Sequence, residues 1–352
     1  MLAATAALAT AGPAAQAQSS VSVFGLIDIG FVRESGGSAG TLNKFTGGMS
    51  NGSRLGFRGS ETLGDGWSAV FLLESGFQPD TGAMGQGGVL LGRQAYAGLR
   101  TPHGTLTFGR QYTSHFNALV LADPFSSGLA GDAKNLMPST GDAATRMNNS
   151  VKFASNDYRG FSGELMHAPG EVAGGPSRGR QWAAALAYGG GPLHVRLGYH
   201  YRNNDTALAH IGSGRTALLA ATWQAGPVKV HGGYGVNQGI NSSPLRNTSN
   251  PYGLVPVPVA STDSVDVLLG LSSIHGLHTF LASYVGKDDR TQRDQDARQL
   301  ALGHRYALSK RTDTYVSLAH IRNRKGASYT VGSSIEAGSG DRAVSAGFRH
   351  VF

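Results

Sequence analysis

Apolar and polar residues alternate with a period of two along most of this chain. In residues 193–202, Leu193, Val195, Leu197, Tyr199 and Tyr201 fall on one face and His194, Arg196, Gly198, His200 and Arg202 on the other. Successive strand side chains point to opposite sides, so such a segment divides an apolar medium from water. The same alternation marks 228–234, 147–153 with Asn148, Ser150 and Lys152 on the polar face, and 67–77 with Glu74 on the polar face. Runs of this kind predict strands at 20–32, 52–60, 66–77, 89–100, 105–111, 147–155, 161–168, 181–188, 192–203, 214–225, 227–236, 263–273, 278–286, 297–307, 312–323 and 341–352, sixteen in all.

The predicted connectors alternate in length. Tight turns at 61–65, 101–104, 189–191, 225–226 and 308–311 contrast with long loops at 33–51, 112–146, 237–262 and 324–340. Short turns on one side, long loops on the other and an even strand number are the pattern of a transmembrane β-barrel. The expected fold is all-β, a sixteen-stranded antiparallel barrel in a single domain over 18–352. A soluble sandwich would share the alternation, but such folds rarely carry so many strands in one domain. The longest uninterrupted apolar run after the N-terminus, 182–188, is far short of the roughly 20 residues of a membrane helix.

Composition narrows the chemistry. The absence of cysteine excludes a disulfide framework, a thiolate zinc site and a thiol nucleophile. Charged residues make up 15% and 52 residues are glycine, so the chain is poor in charge and rich in Gly beside an ordinary soluble domain. The net charge is +8. Residues 1–17 are rich in Ala and end Ala15-Gln16-Ala17, a small-x-small cleavage pattern, so a signal peptide is expected with the mature chain starting at Gln18. No Lys or Arg precedes Arg33, so a basic n-region is expected upstream of Met1.

Several segments resemble the general porins of Gram-negative bacteria, in particular the trimeric sixteen-stranded type of beta-proteobacteria. They are Ser19-Ser20-Val21-Ser22-Val23-Phe24-Gly25-Leu26-Ile27-Asp28, Ser53-Arg54-Leu55-Gly56-Phe57-Arg58-Gly59-Ser60-Glu61 with Leu73-Glu74-Ser75-Gly76-Phe77, Gly92-Arg93-Gln94-Ala95-Tyr96-Ala97-Gly98-Leu99, Phe108-Gly109-Arg110-Gln111-Tyr112, Arg146-Met147-Asn148-Asn149-Ser150-Val151, Leu308-Ser309-Lys310-Arg311-Thr312 and the terminal Phe352. The resemblance implies a water-filled channel whose third long loop, here about 112–146, folds inward opposite arginines of the barrel wall. Arg54, Arg93 and Arg146 match the positions of those arginines, and parity supports Arg54 and Arg146 independently. Arg93 shares its face with Ala95, Ala97 and Leu99.

Arg58 and Lys152 join them as expected constriction residues, with Asp123, Asp132 and Asp142 as loop acids and Asp28, Glu74, Arg196 and Lys229 as lumen lining. Wall cations outnumber wall acids, which predicts an anion preference, although solvation of the lumen alone would also place arginines inward. Aromatics such as Phe57, Tyr96, Tyr199 and Trp223 suit interfacial girdles, and Phe24 falls inward with Asp28. Ala217, Leu219 and Ala221, and Ala183, Ala185 and Ala187, are read as outward small residues fit for a neighbouring protomer. The resemblance implies a homotrimer, outer-membrane lipid around it, and an assembly signal at Phe348 and Phe352 for the outer-membrane assembly machinery.

No enzyme, cofactor, metal or nucleic-acid partner is expected. Gly36-Gly37-Ser38-Ala39-Gly40 matches a nucleophile elbow only formally, with no helix after it, and the Asp288, Asp289, Asp294 and Asp296 cluster lacks the spacing of a calcium loop. The expected function is general diffusion of small hydrophilic solutes and anions. The competing expectation is a substrate-specific channel with a saturable site.

Overall fold

The computed structural model describes residues 19–138, 145–243 and 245–352. The expected signal peptide and Asp142 lie outside the described residues. Seventeen strands form one antiparallel sheet, β1 (Ser19–Gly37), β2 (Gly40–Gly47), β3 (Arg54–Gly64), β4 (Trp67–Gly76), β5 (Gln94–Thr101), β6 (Gly104–Tyr112), β7 (Arg146–Ser155), β8 (Phe161–Ala168), β9 (Gln181–Gly190), β10 (Leu193–Asn203), β11 (Ser213–Ala225), β12 (Val228–Ser243), β13 (Ser261–His275), β14 (His278–Asp289), β15 (Ala297–Ala307), β16 (Thr312–Asn323) and β17 (Arg342–Val351). Both β2 and β3 pair with β1, β2 along 29–37 and β3 along 19–26, so they are two halves of one barrel strand. The barrel therefore has the sixteen strands expected, closed where β1 pairs with β17.

The predicted loop 33–51 is mostly strand. Its Gly-rich composition reads as irregular, yet Gly36 (φ 94°) and Gly40 (φ 85°) supply the left-handed positions of a tight hairpin between β1 and β2. The real interruption is at 48–53, and Asp28 holds it. The carboxylate of Asp28 accepts from the N–H groups of Met49 (3.0 Å), Ser50 (3.1 Å) and Asn51 (2.9 Å) and from the Tyr315 hydroxyl (2.6 Å). Asp28 is thus fully buried and fastens backbone, rather than lining open lumen as expected.

Ring closure ends on Phe352, whose backbone exchanges two 3.0 Å hydrogen bonds with Gly25. A Cβ on Gly25 would lie 2.5 Å from the Phe352 ring, so the ring occupies the space a side chain would need. Gly25→Val is expected to expel it and destabilise closure by about 1–3 kcal/mol, as overpacking does, read as a lower temperature for loss of the folded band in heat-modifiable electrophoresis.

The outward positions form an apolar belt that includes Leu197, Leu219, Leu269, Leu300, Leu318 and Val344, all exposed on the barrel surface. Ala217, Leu219 and Ala221 lie on that face, because Leu218 and Ala220 between them are fully buried inside. Ala183, Ala185 and Ala187 do not: they pair with His200, Gly198 and Arg196 on the inward face of β10, while Trp182 and Leu186 face out. Tyr96 also points inward, opposite Leu72 on β4, so it leaves the expected girdle.

The connector 113–145 carries the helix α1 (Ser114–Ala122), capped by the Thr113 hydroxyl accepting from Phe116 N–H at 3.1 Å. His115, Ala118, Leu119 and Ala122 bury one face of α1 against the inner wall of β8 to β12. The wall is shaped for it. A Cβ on Gly198 would lie 2.9 Å from Ala118, one on Gly270 2.7 Å from Pro124, and one on Gly303 2.7 Å from the Phe125 ring. Leu218, Leu268, Leu281 and Val285 complete this internal core, whose largest fully buried side chain is Phe125. The inward Ala183 packs with Met147, Met166 and Ala168 in a second buried cluster rather than on an outer contact surface.

Candidate pore constriction

The third loop crosses the barrel and leaves a cavity of about 900 Å³ beside it. Its wall side is built by Arg54, Arg93, Tyr112 and Arg146, and its loop side by Phe116, Asn117, Val120, Ser126, Ser127 and Lys134. External loops close over it with Arg246, Ser334, Ile335 and Ala337. Five cationic side chains therefore line one cavity, and among the described residues no carboxylate lines it.

Arg54 begins β3, and its Nη1 lies 3.2 Å from Glu74 Oε1 on β4. Arg93 is not in a strand, since β5 begins at Gln94 rather than within the predicted 89–100. That position frees it from the outward parity of Ala95, Ala97 and Leu99 and lets it turn inward. Its Nε donates to Glu74 Oε1 at 2.7 Å and its Nη2 to the Tyr112 hydroxyl at 2.6 Å. Arg146 opens β7, donates to the same hydroxyl at 3.3 Å and lies over the Tyr112 ring at 4.9 Å, a cation–π arrangement. Parity does not explain Arg146, because an extra residue in β7 opposite 109–111, with Asn149 at φ 50°, breaks the alternation there and turns Met147 into the interior.

The other expected constriction residues sit elsewhere. Arg58 lies nearer the short-turn end, its guanidinium 5.4 Å from the centre of the Phe24 ring. Lys152 is held by Glu164 (3.2 Å), which also pairs with Arg196 (2.8 Å) and accepts from Ser114 (2.9 Å). These three groups brace the start of α1, so Arg196 is an anchor as much as lining. Lys229 occupies the short-turn end of β12. Glu74 lies behind Arg54 and Arg93, nearly fully buried.

Asp123 and Asp132 point into the loop, not the cavity. Asp123 accepts from the N–H groups of Phe125 (2.9 Å), Ser127 (2.9 Å) and Ala133 (3.0 Å). Asp132 accepts from Lys134 N–H at 2.9 Å and lies 3.3 Å from Lys134 Nζ and 3.5 Å from Arg246 Nη1. Short Asp side chains that bond their own backbone fix turns, and Asp132 also holds two cations at the cavity edge. Lys134 Nζ donates to Ser334 O at 2.8 Å, and Arg246 donates to Asn135 Oδ1 (2.8 Å) and Ser333 O (2.7 Å), tying the third loop to the last. Sequence reasoning missed Lys134, Arg246 and the role of Tyr112; no periodicity marks loop residues.

Burial, with Asp132 nearby, pushes the Asp123 carboxyl up to about 7, and burial lowers His115 to about 4. The signs oppose. A docked Asp123 keeps a proton that a free one loses, so its share of docking stability weakens as pH rises from about 4 to 7. A free His115 binds a proton that the docked one excludes, so its share weakens as pH falls from 6.5 to about 4. Wild-type loop docking is therefore expected to vary little across this window. His115→Gln is expected to expose the Asp123 dependence, with channel noise growing as pH rises from about 4 to 7.

Residues 3–326 match the family model for Gram-negative porins. An outer membrane porin protein of Bordetella pertussis is 31% identical, over 92% of this chain and 94% of its own. Outer membrane porin protein 32 of Delftia acidovorans is 28% identical over 100% of this chain and 99% of its own. An anion-selective porin from Comamonas acidovorans shares the fold, with a TM-score of 0.75, 24% identity and 95% of this chain covered against 100% of that chain. A closed sixteen-stranded barrel with an inward third loop, matched along its length by these proteins, is a member of the Gram-negative porin family and forms a channel in the bacterial outer membrane.

Proposed function

We propose that this porin passes small hydrophilic solutes by diffusion and favours anions, as a homotrimer. The observation that carries the reading is the lining of the cavity by Arg54, Arg93, Lys134, Arg146 and Arg246. Cations around a narrow wet passage raise the local concentration of anions and repel cations. Glu74 and Asp132 sit behind this lining and hold its side chains in place, so the field at the cavity surface is positive. The solved Comamonas porin, described as anion-selective, and a solved outer membrane protein of Vibrio cholerae described in trimer form are consistent with both parts of the reading.

A saturable solute site is the second reading, favoured by the apolar side chains of Phe116 and Val120, which line the same cavity as the arginines. Liposome swelling separates the two. Diffusion predicts rates that rise linearly with solute concentration and fall smoothly with solute size. A plateau for one solute, with current block by it, would overturn general diffusion.

A further inference from the structure

Outside the lumen, the short-turn end of β14 and β15 carries two histidines in direct contact. Phe280 and Leu302 are 50% and 55% exposed on the outer surface there, whereas Leu281 is buried inside and Gly303 faces the Phe125 ring. His278 shares the outward parity of Phe280, and His304 that of Leu302. In the β14–β15 register His278 opposes Tyr306 and Phe280 opposes His304, so the two histidines are diagonal neighbours. Long side chains reach across that diagonal, and His278 Nδ1 lies 3.0 Å from His304 Nε2 in an exposed contact. Tyr306 flanks the His278 ring and Phe280 the His304 ring, each at 5.0 Å between centroids, so both imidazoles are held on adjacent paired strands.

As a hydrogen bond between neutral imidazoles, this contact needs one ring to donate and the other to accept, and in an exposed position it gains little over bonds to water. As a chelate, the same two nitrogens offer their lone pairs to one ion. Nitrogens bound to one tetrahedral zinc at about 2.0–2.1 Å stand about 3.3 Å apart. Opening the pair by a few tenths of an ångström therefore admits an ion, a movement within reach of side chains at a strand end. Imidazole suits zinc and copper, whereas calcium and magnesium prefer oxygen ligands. His275, directly opposite His278 across the two-residue turn, is held instead by Ser273 Oγ at 2.8 Å. Among the described residues no group of three His, Asp or Glu is gathered for a metal, so water completes the coordination and the ion is exchangeable, unlike one in a closed four-ligand structural site.

We propose that His278 and His304 form a two-histidine site for a divalent transition-metal ion, Zn²⁺ or Cu²⁺ rather than Ca²⁺ or Mg²⁺, tying β14 to β15 on the outer surface at the short-turn end. Calorimetric titration of the purified, untagged protein in detergent with Zn²⁺ tests it. One ion per chain is expected, with no binding of Mg²⁺. His278→Gln or His304→Gln, each retaining the folded band in electrophoresis, is expected to weaken Zn²⁺ binding at least about ten-fold. His320→Gln removes an exposed histidine at the opposite rim, and is expected to leave the affinity unchanged. Unaltered affinity in a folded His278 or His304 variant, or an equal loss in His320→Gln, would overturn the proposal. Wild-type protein supplies a second measurement that requires no variant to fold. Carbethoxylation by diethyl pyrocarbonate, mapped by mass spectrometry, is expected to slow several-fold at His278 and His304 with one equivalent of Zn²⁺ and not with Mg²⁺. Both histidines reacting as fast with Zn²⁺ as without it would overturn the proposal.

Discussion

Phe125→Ala is expected to turn a quiet channel into a noisy and wider one while leaving the barrel folded. Phe125 is fully buried in the core between the third loop and the wall, against the positions of Gly131 and Gly303. Removing a buried phenylalanine side chain costs about 3–5 kcal/mol, and here the loss falls on loop docking. The ladder of β1 to β17 does not pass through Phe125, so heat resistance of the folded band should change little. Gly303→Val should give the same phenotype from the other side, because its Cβ would lie 2.7 Å from the Phe125 ring. Single-channel recording is the measurement: larger mean conductance with rapid flicker is expected for both variants. Steady wild-type conductance in either would mean that this core does not hold the loop.

The largest effect on selectivity is expected from Arg54→Gln combined with Lys134→Gln. Each of these cations shares its carboxylate with a second one, Glu74 with Arg93 and Asp132 with Arg246, so neither acid is stranded when they are removed. An ion passing about 6 Å from one charge in a wet passage feels about 0.7 kcal/mol, reduced to about 0.4 at roughly 0.1 M salt. The term favours an anion and opposes a cation equally, so each removal should lower the anion-to-cation permeability ratio about four-fold, and the pair about fifteen-fold. Lys152→Gln should do much less, because Lys152 does not line the cavity. Reversal potentials in a KCl gradient give the ratios; an unchanged ratio in the double variant would remove Arg54 and Lys134 from the selectivity mechanism.

The barrel was legible because the membrane enforces alternation, and most predicted strands lie within a few residues of the observed ones. Parity failed where the wall is irregular. Arg93 precedes its strand and was found through the family motif alone, and the alternation that also supported Arg146 is broken by the bulge at Asn149, so its inward position does not follow from parity. Asp28, Asp123 and Asp132 were recognised as important acids but misplaced, because a sequence does not distinguish a carboxylate that faces water from one that gathers backbone N–H groups. Lys134 and Arg246 enter the cavity from loops with no repeating pattern. The docking track of the third loop did leave a signal. The runs Ala217-Leu218-Leu219-Ala220-Ala221 and Val267-Leu268-Leu269 are apolar on both faces, where a strand between lipid and water should be apolar on one.

The central claim is that wall and loop cations make the constriction anion-preferring, and the sign of the reversal potential tests it most directly. Purified wild-type protein in a planar bilayer under a ten-fold KCl gradient should reverse toward the chloride equilibrium potential. The offset should shrink as mean salt rises from about 0.1 M to 1 M and the Debye length falls from about 10 Å to 3 Å. A reversal toward the potassium potential would contradict the account, placing control of the passage with carboxylates rather than with Arg54, Arg93, Lys134, Arg146 and Arg246.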